Sequence, residues 1–232
     1  MAFADLPGNL MRVVEEIDRV QSREGVSGGV RIVAVTKGHP VAAVTAAHSA
    51  GVADVGENRV QEALGKQDAT RGLQLRWHLV GHLQTNKAKY VPGRFAVVHS
   101  VDSVRVADAL ARAVERAERS EAPMEAMVQV NVAQEPQKSG CQPEEALEVA
   151  ARIAEQPALQ LAGLMTIAPF TDDEKTQRRV FAALRQLREE LQHSGLAAPE
   201  LSMGMSTDYR AAVAEGATIL RLGTVLFGER PT

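Results

Sequence analysis

Two rhythms of apolar and polar residues alternate along the chain. Leu10, Val13, Val14, Ile17 and Val20 recur at the spacing of one helical face, which predicts a helix as the first element. Ile32 to Val35 is a β-branched apolar run without polar interruption, the pattern of a parallel strand buried on both faces. A helix is predicted over 41–50, a short strand from Val52 into the polar group Gly56-Glu57-Asn58, and a helix from Arg59 to Lys66. Leu75 to His82 reads as a third strand, Thr85 to Tyr90 as a short helix and Phe95 to His99 as a fourth strand. Asp102 is placed as the N-cap of a helix ending near Ser120. Met124 to Val132 is the fifth strand, and Pro143 suits the first turn of a helix running to Glu155. The series closes with a strand from Leu159 to Met165, a charged helix from Asp172 to His193, and a brief strand from Leu201 to Met203. A helix starting at Thr207 or Asp208 and a strand from Thr218 to Leu222 complete it.

Strand and helix thus alternate eight times with short connections. The count predicts an α/β chain folded as a single (β/α)8 TIM barrel with an additional N-terminal helix, one domain over residues 1–232, rather than an open doubly wound sheet.

Composition narrows the partners. The 232 residues carry a formal charge of −3 with both signs interspersed, which leaves no basic face for nucleic acid. The one cysteine, Cys141, excludes an intramolecular disulfide, and no charged-then-apolar leader opens the sequence, so a reducing cytoplasm is expected. No apolar run is long enough to cross a bilayer, and no membrane partner is expected.

Candidate chemistry gathers at the carboxyl ends of the predicted strands, where such a barrel carries its site. Lys37, Asn58, His82, Asn131, Met165, Ser206 and Arg221 all fall there. Side chains alternate along a strand, so Val33, Val35 and Lys37 share a face, and an ammonium following two valines into an interior is costly unless something receives it. A desolvated lysine loses its proton more readily and can form a Schiff base with an aldehyde. The plainer alternative is a lysine that snorkels out of a strand end.

The loops after the last two strands, Gly204 to Asp208 and Arg221 to Thr224, place hydroxyls and small residues where backbone N–H groups attract an anion. Ser206, Thr207, Gly223 and Thr224 are therefore candidates for a phosphate, against ordinary readings as an N-cap and a tight turn. His78 and His82 lie four residues apart, roughly 13 Å along a strand and too far for one zinc ion, so no metal site is expected. His82 at the strand end is placed to contact a ligand, whereas His78 reads as a satisfied interior histidine.

With the stretch Trp77-His-Leu-Val-Gly-His-Leu-Gln-Thr-Asn-Lys87 in view, the chain resembles the pyridoxal 5′-phosphate homeostasis proteins over nearly its full length. The likeness also rests on the Val-Thr-Lys37 strand end, Gly56-Glu-Asn58, Gly163-Leu-Met165, Ser202-Met-Gly-Met-Ser206, Arg221-Leu-Gly-Thr224 and Phe227-Gly228. That family is similar to the barrel half of the fold-type III pyridoxal phosphate enzymes such as alanine racemase. The resemblance implies that pyridoxal 5′-phosphate (PLP) is held covalently on Lys37 and that its phosphate lies on Ser206, Thr207, Gly223 and Thr224. It implies that Arg221 approaches the pyridine nitrogen, that Asn58 and Met165 line the ring pocket with His82 as a further contact, and that Lys138 is an auxiliary group at the mouth. A guanidinium only donates and stays charged, so the ring nitrogen beside it must accept, and an unprotonated ring is a weaker sink for carbanion electrons.

A racemase also needs a proton-transfer group on the face opposite the lysine. Fold-type III racemases take a tyrosine from a second, β-rich domain. Here only residues 228–232 follow the eighth strand and its short loop, and Tyr90 and Tyr209 fall in barrel segments. The expectation is a PLP-binding protein of intracellular PLP homeostasis without turnover of its own, a monomer or weak dimer that stores the cofactor and delivers it to PLP-accepting apo-enzymes. Two other readings stay open: a small fold-type III amino-acid racemase using His82 or a loop carboxylate, and a Schiff-base aldolase for a sugar phosphate.

Overall fold

The structure is a computed structural model and describes residues 3–117 and 122–230. Eight parallel strands close into a barrel in chain order. They are β1 (Arg31–Val35), β2 (Asp54–Glu57), β3 (Arg76–Leu79), β4 (Val97–Val101), β5 (Met124–Gln129), β6 (Leu159–Met165), β7 (Glu200–Ser202) and β8 (Ile219–Leu222). Around them run α1 (Leu6–Glu24), α2 (Val41–Ser49), α3 (Val60–Ala69), α4 (Val104–Ala117), α5 (Ala146–Ala154), α6 (Glu174–His193), α7 (Tyr209–Ala214) and α8 (Thr224–Phe227). The architecture is the predicted (β/α)8 barrel with an extra leading helix. Among the described residues no helix is long and apolar enough to cross a membrane.

The extra helix is held by the face its sequence pattern marks. Leu6, Val13, Ile17 and Val20 of α1 are buried, and the helix packs against α7 and α8. Asn9 donates to the Leu226 carbonyl at 2.9 Å, and Arg210 meets Glu16 at 2.8 Å, which ties both ends of the chain together. Between the helices and the sheet lies one continuous apolar core that includes Leu79, Val98, Leu110, Ile153, Phe181 and Leu184. A second, smaller cluster of Val33, Val97, Met127, Ala162 and Ile219 fills the barrel interior, so the centre is packed rather than a pore.

Several predicted boundaries shift for identifiable reasons. Asp102 does not cap α4: the Ser103 hydroxyl accepts from the Val106 amide at 3.4 Å, while the Asp102 carboxylate turns to His82 at 3.1 Å. The predicted end of that helix near Ser120 lies outside the described residues. The Pro143–Glu155 segment divides into a 3-10 turn over Pro143–Glu145 and α5, with Gln142 and Glu145 capping each other reciprocally. The long helix starts at Glu174 because Asp173 accepts from the Lys175 amide at 3.2 Å.

One backbone irregularity sets which side chains face inward on β6. Gly163 takes φ +156°, and the pairing register slips opposite it between Ala126 and Met127 on β5. As a result Ala162 belongs to the interior cluster and Leu164, two residues on, to the outer core. A β-carbon at Gly163 would lie 2.0 Å from the Glu200 carbonyl oxygen on β7. Gly163→Ala is therefore expected to cost about 2–4 kcal/mol through backbone strain and overpacking. The measurement is the urea midpoint at unchanged slope; a wild-type midpoint would show that the wall yields at this point.

Candidate functional site

A cavity of about 490 Å³ opens at the carboxyl ends of the strands, within the range of roughly 300–1,000 Å³ common for small-molecule sites. Of the predicted residues, Lys37, Asn58, His82, Ser206, Thr207, Arg221, Gly223 and Thr224 line it. Asn131 and Lys138 also reach it. Met165 does not: it is fully buried in β6 and contributes nothing to the cavity wall.

Lys37 points inward because its neighbours are held outward. The Thr36 hydroxyl donates to Glu57 at 2.6 Å, and Lys66 from α3 donates both to Glu57 at 2.6 Å and to the Thr36 carbonyl at 2.7 Å. The same ammonium meets Glu62 at 3.0 Å, and Glu62 accepts from the Gly38 amide at 2.7 Å. Gly38 turns the chain with φ +72°, a conformation other residues adopt only with strain. The backbone on either side of Lys37 is thus clamped from outside the barrel. Burial holds the Lys37 amine below the ordinary lysine range, and the Arg230 and Arg221 cations push it the same way, against Glu57 and Glu62.

Beside the lysine, on the loops after β7 and β8, the Ser206 hydroxyl oxygen accepts from the amides of Gly223 and Val225, each at 3.2 Å. Those two N–H groups converge on one oxygen, the arrangement that a phosphate oxygen requires. The Asp208 carboxylate holds the Met205 amide at 2.5 Å and so fixes the loop that carries Ser206. Burial pushes the Asp208 carboxyl above its usual range, with Arg221 opposing. Thr207 and Thr224 lie exposed on the cavity side of the two loops.

Arg221 is buried, donating to the Ser202 hydroxyl at 2.7 Å and to the Thr166 carbonyl at 2.8 Å. Among the described residues no carboxylate lies within ion-pairing distance of it, and burial pushes it down to about 10. Its charge is left for whatever enters the cavity. Lys37, Lys138, Arg221 and Arg230 all line the space, an electrostatic setting for a polyanion. An amine of depressed basicity, a two-amide oxygen cradle and a guanidinium that feels Asp208 only at a distance fit a phosphorylated aldehyde with an acceptor atom in its ring.

The histidines separate. His78 is fully buried and bonded at both ring nitrogens, whereas His82 stands at the rim beside Asp102. Lys138 is anchored at the mouth by Glu135 at 2.9 Å and the Ala168 carbonyl at 2.8 Å. The clamp of Glu57, Glu62 and Lys66, together with Arg230, went unnoticed in the sequence. A signal existed for part of it: alternation along β2 turns Glu57 away from the interior that Gly56 faces, and Glu62 and Lys66 share a helical face.

A parallel barrel with a lysine at the end of its first strand and an oxygen cradle on its last two loops defines a class, and the sequence profile for "Alanine racemase, N-terminal domain" matches residues 9–231. A pyridoxal phosphate homeostasis protein of Aquifex aeolicus is 40% identical over 223 residues, covering 95% of this chain and 96% of its own. The chain belongs to the pyridoxal phosphate homeostasis protein family. PipY of Synechococcus elongatus, solved with PLP bound, is 39% identical with a TM-score of 0.80, covering 92% of this chain and all of its own. Alanine racemase of Clostridium difficile shares the fold alone, at 15% identity and a TM-score of 0.77, and the chain spans 61% of its length.

Lys66→Met would leave the Glu57 carboxylate buried without its cation and is expected to cost about 3–5 kcal/mol in urea unfolding. Acylation of the amines, followed by mass spectrometry across a pH series, should show Lys37 reacting with an inflection below that of exposed lysines. Coincident inflections would contradict the desolvated environment.

Proposed function

We propose that this chain, acting as one domain, binds PLP through a covalent bond from Lys37 and holds it as an accessible intracellular reserve, without turnover of its own. The observation that carries the reading is the convergence of the Lys37 amine, the Ser206 cradle and the Arg221 guanidinium on one cavity. The names of its relatives and the PLP bound in PipY point the same way. Bound PLP supplies an aldehyde open to exchange between amines and a ring that withdraws electrons.

In this reading the Lys37 amine, neutral in a larger fraction than an exposed lysine, would hold the cofactor through its aldehyde carbon, the carbonyl oxygen leaving as water. Ser206, Thr207 and Thr224 would take the phosphate, with the amides of Gly223 and Val225 turning to it from the Ser206 oxygen that they hold in the free protein. Arg221 would donate to the ring nitrogen and keep it unprotonated, and Asn58 would line the ring's pocket. The open mouth, where Phe170 is 96% exposed, leaves the bound group within reach of amines and of acceptor apo-enzymes.

Purified protein incubated with PLP should turn yellow, with a near-visible band that borohydride fixes to Lys37 and that Lys37→Ala abolishes. Combined Ser206→Ala and Thr224→Val should weaken retention about tenfold or more. Robust steady-state turnover of any amino acid in a panel would remove the storage reading.

A second reading, a small amino-acid racemase, is favoured by one observation: His82 with Asp102 at 3.1 Å is an acid/base pair on the cavity rim. Solvent deuterium entering the α-position of an amino acid, and lost in His82→Ala, would establish it.

A further inference from the structure

The barrel interior holds a column of polar groups that storage does not explain. From Arg221 on β8 it runs to Ser202 on β7 at 2.7 Å, and from Ser202 to His99 Nδ1 on β4 at 2.8 Å. His99 Nε2 meets His78 Nδ1 on β3 at 2.8 Å, and His78 Nε2 meets Asp54 on β2 at 2.7 Å. Ser202, His78 and His99 are fully buried and Arg221 nearly so, whereas Asp54 is partly exposed at the opposite end of the barrel.

Donor counting fixes the direction of every bond. With Asp54 ionised and both rings neutral, the carboxylate can only accept from His78 Nε2, which leaves His78 Nδ1 and then His99 Nδ1 as acceptors, so the Ser202 hydroxyl gives its hydrogen to His99 while its oxygen accepts from Arg221. His99 then carries its hydrogen on Nε2 and gives it to His78 Nδ1, and His78 gives its Nε2 hydrogen to the Asp54 carboxylate. In that state the two histidines share one tautomer, and all donations run from Arg221 towards Asp54. Burial lowers the basicity of both rings, which agrees with neutral imidazoles.

We propose that His99 and His78 are positioning residues through which Asp54 orients and polarises the hydrogen bonds as far as Ser202, holding Arg221 aimed at the ring nitrogen of bound PLP. The inference rests on the PLP reading above. Neutral acceptors hold the guanidinium without cancelling its charge, and the anchoring carboxylate stands at the far end of the barrel, where it cannot compete with the ligand.

One added proton reverses the column. His78 becomes imidazolium, bonded to Asp54 through Nε2 and to His99 through Nδ1. His99 then carries its hydrogen on Nδ1 and gives it to Ser202, whose hydroxyl hydrogen loses its acceptor. The charged groups facing the histidine pair are Arg31 on β1, Asp54 on β2, Arg76 on β3 and Arg221 on β8. Glu125 on β5 pairs with Arg76 at 2.6 Å and Glu200 on β7 with Arg31 at 3.7 Å. Since burial holds the His78 ring below its ordinary value in the folded protein, the column keeps its neutral arrangement at pH 6.5 and above, and its reversal belongs to more acid solution.

Two measurements test this separately. Imidazole nitrogen NMR on ligand-free protein at pH 7.5 should show both rings neutral with hydrogen on Nε2; an Nδ1–H tautomer at either ring overturns the column, whatever PLP does. PLP titration of Asp54→Asn and His99→Asn should give about tenfold weaker binding than wild type. The absorbance of the bound cofactor should also shift, and the loss of affinity as pH falls below about 6.5 should be steeper in wild type than in Asp54→Asn. Asp54→Asn lies at the partly exposed end, so it reports even if His99→Asn does not fold. Wild-type binding with unchanged affinity, spectrum and pH profile in Asp54→Asn overturns the positioning role, whereas absence of PLP binding by wild type would overturn the storage reading instead.

Discussion

A carboxylate on the outside of the barrel wall decides where the key lysine points. Glu57 has no solvent contact, and a buried charge of this kind persists only when it is paired and hydrogen-bonded. Thr36 and Lys66 satisfy one of its oxygens, and Lys66 goes on to grip the Thr36 carbonyl and Glu62. Because Glu62 in turn holds the Gly38 amide, both peptide units around Lys37 are fixed from behind. Alternation then leaves the Lys37 side chain one direction, into the cavity. A rigid strand end keeps the amine in its half-desolvated position, and that position suppresses its proton affinity.

The interior answers the same problem of buried charge in another way. Its lower part is filled by Val33, Val97, Met127, Ala162 and Ile219, with no polar demand. Beside that plug, Arg221 is held by a hydroxyl and a backbone carbonyl rather than by an acid. A carboxylate at that place would have neutralised the guanidinium and repelled a phosphorylated ligand. Neutral acceptors hold its geometry and leave its field directed at the cavity, where Lys37, Lys138 and Arg230 add to it.

The strand ends were legible in the sequence because a parallel sheet covered on both faces demands runs such as Ile32 to Val35, and alternation carries that run to Lys37. The cradle was legible because Ser206 and Gly223 stand just beyond the two closing strands. Met165 was misplaced at the cavity because its motif lies at a strand end; in the structure it is enclosed within β6. Asp102 was misread as a cap because its competing partner, His82, is distant in sequence and meets it only across the rim. The column from Arg221 to Asp54 was invisible for a similar reason: its members come from five different strands.

Residue order alone determined the barrel, the inward face of its first strand and the two loops that close its rim, since those follow from periodicities of two and 3.6 and from local backbone chemistry. The folded chain alone decided how the buried charges are partnered. Lys66 reaches Glu57 and Thr36 from a helix, and His99 reaches Ser202 over a separation of 103 residues. Such pairings are chosen by desolvation, which acts only once closure of the barrel has excluded water.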